Sequence, residues 1–128
     1  MNKISKTSEV FKMEVYMNST EIIKAINEDR YIKDFERLYG DDKDVLEAQK
    51  NRYIQAVKSF EELYPGSGSL SIFSAPGRTE VCGNHTDHQH GCVLAAAVNV
   101  DAIAVVSFHN DRVVRLQSVG YEQEYIGL

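Results

Sequence analysis

The sequence predicts an α+β fold, with N-terminal helices followed by a mostly antiparallel sheet. Three observations carry this reading. Of the 33 charged residues, 24 fall before position 65, whereas seven of the eight glycines fall after it. Apolar residues recur with a helical period in the first half and with a strand period in the second. Between the halves lies Pro65-Gly66-Ser67-Gly68-Ser69, a helix-stop and turn cluster.

Asn18-Ser19-Thr20 offers an N-cap to a short helix that turns Ile22, Ile23 and Ile26 inward. Tyr31, Ile32, Phe35, Leu38 and Tyr39 form a second stripe, with Gly40 placed as a C-cap. Asp41, Asp42 and Asp44 put negative charge where a third helix begins, as the helix dipole favours. Leu46, Tyr53, Ile54, Val57, Phe60 and Tyr64 then make one apolar face, and core packing is the expected role of these aromatics. Residues 1–18 read as a flexible N-terminal extension.

Past the boundary, Leu70 and Ile72 lead into Ser74-Ala75-Pro76-Gly77. Cys92–Val98 reads as a buried strand, small on both faces. Val100, Ala102, Ala104, Val106 and Phe108 share one face of a longer strand. His109-Asn110-Asp111 predicts a hairpin turn into Val113–Leu116, and Glu124–Ile126 begins another strand. Such a sheet needs its faces covered, and no helical pattern follows it, so the sequence reads as truncated.

Composition narrows the function classes. A net charge of −5 argues against a protein devoted to gripping a nucleic-acid backbone. No apolar run is long enough for a bilayer span, and the first residues lack the apolar core of a secretory signal. Two cysteines, Cys82 and Cys92, make no disulfide framework, so a cytoplasmic location with reduced thiols is expected.

The chemistry concentrates between Ala75 and Cys92, where three of the four histidines fall within six residues. One reading is a metal site built from His85, His88, His90, Asp87, Cys82 and Cys92. The spacing disfavours it, since there is no Cys-x-x-Cys pair and no helical His pair. A second reading is a sugar or polyol site. Arg78, Glu80, Asn84, His85, Asp87 and His88 offer directed donors and acceptors, and Gly77 and Gly83 allow close backbone approach. A third is a polar loop bonded only to its own backbone.

Ala75-Pro76-Gly77-Arg78, then Gly83-Asn84-His85-Thr86-Asp87-His88, then Gly91 and Val93-Leu94, resembles the sugar-binding signature of galactokinases, members of the GHMP small-molecule kinase superfamily. The family pattern is close to A-P-G-R-x-N-x-I-G-E-H-x-D-Y. The resemblance implies that 19–128 is an N-terminal sugar-binding region, folded like the N-terminal lobe of GHMP kinases (ribosomal protein S5 domain 2-like) but incomplete. It implies phosphorylation of the C1 hydroxyl of galactose, or a related hexose, from Mg-ATP. Arg78 would stand beside that hydroxyl as the catalytic residue; His85 and Asp87 would bond sugar hydroxyls. Three positions depart from the pattern. Glu80 stands where the family has asparagine, Asn84 where it has the glutamate that bonds O6, and His88 where it has tyrosine. Asn84 keeps an O6 partner without charge, and Glu80 is the candidate replacement carboxylate.

The superfamily's ATP loop is a glycine- and serine-rich segment opening a helix. None occurs here, since strand follows Gly66-Ser67-Gly68-Ser69. ATP and Mg2+ are therefore expected to bind mainly to residues beyond this chain, and the chain alone is expected to be inactive. A non-catalytic sugar sensor on the same scaffold is the alternative. A small sugar is the expected partner, with no nucleic acid and no membrane.

Overall fold

Local capping chemistry sets the helical half. In a computed structural model that describes residues 11–83 and 92–128, helix α1 (Ser19–Asn27) opens with a capping box. The Asn18 side chain accepts from the Glu21 amide, and the Glu21 carboxylate accepts from the Asn18 amide, both at 3.0 Å. Helix α2 (Ile32–Tyr39) ends at Gly40, whose amide donates to the Glu36 carbonyl. Helix α3 (Lys43–Leu63) opens under Asp42, which accepts from the amides of Asp44 and Val45. Glu61, near the end of α3, accepts from the Ser19 hydroxyl and the Gly66 amide, tying the boundary turn to the start of α1.

The buried faces are those the helical periods mark. Ile22 and Ile26 of α1, Phe35 and Tyr39 of α2, and Leu46, Tyr53, Ile54 and Val57 of α3 form one core with Leu70 and Ile72. Phe35 meets Tyr53 edge-on, with ring centroids 4.9 Å apart. Each of these side chains contributes about 1.5–3 kcal/mol by leaving water.

Strand β1 (Phe11–Met17) pairs antiparallel with β2 (Leu70–Cys82), which pairs antiparallel with β3 (Leu94–Ser107). Within the extension expected over 1–18, Phe11–Met17 is strand. Phe11–Met17 hydrogen-bond along β2 and make a sheet edge ahead of the helices. The helices cover only the end of the β2–β3 ribbon that holds Leu70, Ile72 and Ser74 opposite Ser107, Val105 and Ile103.

Asp101, Ile103 and Val105 are the β3 face that meets the helices, and Val100, Ala102, Ala104, Val106 and Phe108 share the opposite, exposed face. Val100 is 70% exposed and Phe108 94%. The reason is register, because Ile72 and Ser74 are buried and sit opposite Val105 and Ile103. The Cys92–Val98 segment is not a buried strand. Strand begins at Leu94, and residues 92–97 are exposed because they lie past the helical layer.

Nor does β3 turn back into a hairpin at His109-Asn110-Asp111. Strand β4 (Val113–Leu116) pairs instead with β5 (Glu124–Gly127) in a separate two-stranded sheet. The Gln117 amide nitrogen donates to the carbonyls of Ser118 and Tyr121 across the connecting loop, which closes that hairpin on itself.

Candidate functional site

The chemistry-bearing segment begins on the part of the ribbon that leaves the helices. Arg78 and Glu80 are two apart on β2, so alternation puts them on one face. It is the face of Leu70, Ile72 and Ser74, carried past the end of the helical layer, and both side chains are exposed. Their cross-strand neighbours are Ala97 and Ala95. Alanine opposite each long polar side chain leaves room for a ligand beside it.

Two irregularities shape this stretch. Pro76 pairs with Asp101 and Arg78 with Ala97, so β3 carries two more residues than β2 across that interval. A Cβ added to Gly77 would lie 2.8 Å from the Val100 carbonyl oxygen and 3.2 Å from Val98 Cγ2. The bulge therefore closes over a position that only glycine fits. The second shift falls between Glu80 and Cys82, where β2 carries the extra residue. It breaks side-chain alternation just before Gly83, whose φ is +125° and whose added Cβ would lie 2.7 Å from Val93 Cα.

Asn84, His85 and Asp87, together with His88 and His90, lie outside the described residues. The structure thus brings Arg78 and Glu80 together on one exposed face and gives no position for the others. Among the described residues no group of three or more His, Cys, Asp or Glu side chains could hold a metal, and Cys82 and Cys92 are free thiols. A shallow dent lined by Leu116, Ser118, Tyr121, Glu122 and Glu124 sits on the β4–β5 hairpin, on other elements than the ribbon that carries Arg78.

Beneath the ribbon lies a polar cluster that periodicity did not mark. The Asp101 carboxylate is 6% exposed. It accepts from Arg52 Nη1 at 2.5 Å, from Tyr39 Oη at 2.6 Å and from Ser74 Oγ at 2.5 Å. Arg52 Nη2 also donates to the Asp101 backbone carbonyl at 2.8 Å, and Tyr53 Oη lies 2.9 Å from Tyr39 Oη. Burial alone would raise the pKa of Asp101. The hydrogen bonds from Arg52, Ser74 and Tyr39 outweigh it and hold the carboxyl below its ordinary range. Burial and the bond to Asp101 push the Tyr39 phenol well above its ordinary value. The available signal was a lone acid in the apolar run Val100-Asp101-Ala102-Ile103.

The helix N-termini offer no phosphate cradle. Those of α1 and α3 are filled by the side chains of Asn18 and Asp42, and acidic residues occupy the first turns of all three helices. No described helix is long and apolar enough to cross a membrane.

Residues 58–108, from the last turns of α3 to just past β3, match the galactokinase galactose-binding signature. Similar curated proteins include a galactokinase of Dictyostelium discoideum, 38% identical over 64 residues, and one of Candida parapsilosis, 36% identical over 67. A galactokinase of Fusobacterium nucleatum is 33% identical over 66 residues. The matches take in 50–52% of this chain but only 13–17% of those relatives' lengths. No solved structure matches the chain.

Proposed function

We propose that this chain, which matches the galactokinase galactose-binding signature over residues 58–108, is a galactokinase-family N-terminal region and forms the sugar-binding part of an enzyme phosphorylating the C1 hydroxyl of galactose or a related hexose. The observation that carries this reading is the placement of Arg78 and Glu80. Arg78 stands exposed on one face of β2 with Glu80, with only alanines across the ribbon, and precedes the remaining polar residues in sequence.

The assigned roles follow from side-chain chemistry. Asp87 accepts from two neighbouring hydroxyls, and hydrogen bonds to a charged group are worth about 1.5–3 kcal/mol each. His85 bonds a further hydroxyl. Asn84 pairs with O6 as donor or acceptor, and Glu80 supplies a carboxylate on the Arg78 face. Arg78 lies beside the C1 hydroxyl, favours its more nucleophilic form and balances charge on the group being transferred. The fold, in this reading, is that of the N-terminal lobe of GHMP kinases. The phosphoryl donor is Mg-ATP. In this reading ATP and Mg2+ bind mainly to residues beyond this chain, whose sequence has no glycine- and serine-rich segment opening a helix.

Calorimetry on the enzyme containing this region tests the assignment. Asp87→Ala is expected to abolish sugar binding while nucleotide affinity survives. Retained sugar affinity overturns the role given to Asp87.

A further inference from the structure

We infer that Asp101 is a positioning residue for Arg78. Its buried clamp fixes β3 where the ribbon leaves the helices, and the bulge that follows sets how Arg78 is presented to the sugar. The inference rests on the role proposed above for Arg78.

The clamp is more than core packing requires. Ile103 and Val105 serve the same face of β3 with apolar side chains. A buried carboxylate in their row carries a desolvation cost that must be met by hydrogen bonds. Here donors come from three elements at once: Tyr39 from α2, Arg52 from α3 and Ser74 from β2. Arg52 holds the Asp101 backbone as well as its side chain. Both the direction and the height of β3 are thereby fixed at this residue.

Past this point the ribbon loses its support. On β2, Ser74 is buried, while Ala75, Pro76 and residues 78–82 are exposed. On β3, residues 94–97 and Val100 are exposed. Ser74 and Asp101 therefore form the last buried anchor before Arg78 among the described residues. Arg78 lies two residues beyond Pro76, the partner of Asp101, or roughly 7 Å along the strand. Within that span β3 takes its two extra residues opposite Gly77. A bulge bends and twists its strand, so its starting angle decides where the next side chains lie. That angle is set at Asp101.

The test compares Asp101→Asn, nearly the same in shape but uncharged, with Ile22→Val, a core change on α1 outside the Asp101 hydrogen-bond cluster. Amide hydrogen exchange and a galactose titration followed by NMR are read on the 128-residue chain. For Asp101→Asn, exchange at 78–82 and 94–97 should accelerate about tenfold relative to helix amides, and galactose affinity should fall about tenfold. Ile22→Val should leave both readouts near wild type. Unchanged ribbon exchange in Asp101→Asn, or acceleration spread evenly over the helices, overturns the inference. Should the wild-type chain show no galactose binding, the proposed function fails, and ribbon exchange alone still decides the positioning role. If Asp101→Asn does not fold, Ser74→Ala removes one donor and is read by the same criteria.

Discussion

Removing one hydroxyl measures how much the Asp101 cluster contributes to the fold. Tyr39→Phe keeps the ring in its place in the core and deletes the donor 2.6 Å from Asp101 Oδ2. The carboxylate keeps Arg52 and Ser74, so it is not orphaned. What is lost is one hydrogen bond to a charged group plus the 2.9 Å contact with the Tyr53 hydroxyl. Bonds of the first kind contribute about 1.5–3 kcal/mol, so a loss of about 2 kcal/mol is expected. For a domain of this size that lowers the thermal midpoint by roughly 10 °C. Urea unfolding followed by circular dichroism should show a lower midpoint with an unchanged slope, because the surface exposed on unfolding is the same. Tyr53→Phe, whose hydroxyl is not bonded to the carboxylate, should cost about half as much. A loss below about 0.5 kcal/mol for Tyr39→Phe would refute the claim that this cluster anchors β3 to the helices.

Three further outcomes are expected. The depressed pKa of Asp101, faced by Arg52, Tyr39, Tyr53 and Ser74, contributes stability that is present above about pH 4 and lost as pH falls lower. Acid titration of Asp101→Asn should accordingly be flatter in that range, and an equally steep loss argues against the clamp. Gly83→Ala forces a side chain onto Val93 at a φ of +125° and should cost about 1–3 kcal/mol, read as a lower urea midpoint. A coupled kinase assay on the 128-residue chain with galactose and Mg-ATP should give no signal above background; clear turnover contradicts the placement of the nucleotide outside it.

The helices were legible because their signals are local. Asn18, Gly40 and Asp42 are caps within four residues of what they cap, and the apolar periods of α1, α2 and α3 name the buried residues directly. Which face of β3 meets the helices was not legible, for a physical reason. Both of its alternating rows are mostly apolar, and the acid in one of them ordinarily marks a solvent face. Asp101 is buried because Arg52, Tyr39 and Ser74 satisfy it, from 49, 62 and 27 residues away in sequence. No local pattern encodes such a pairing. The exchange of a β3–β4 hairpin for a β4–β5 hairpin has the same origin, since strand pairing is decided by partners distant in sequence. The segment from Ala75 to Cys92 stands out by composition and motif alone. The bulge opposite Gly77, which sets the geometry of Arg78, required the register.

The proposed sugar site lies at the end of the β2–β3 ribbon. Titration of the 128-residue chain with galactose, and with its C4 epimer glucose as the comparison, observed through backbone amide shifts, tests it most directly. Saturable shifts for galactose centred on residues 78–83 and 92–97, weaker or absent for glucose, are the predicted result. Shifts confined to the β4–β5 hairpin, or none at any concentration of either sugar, would contradict it.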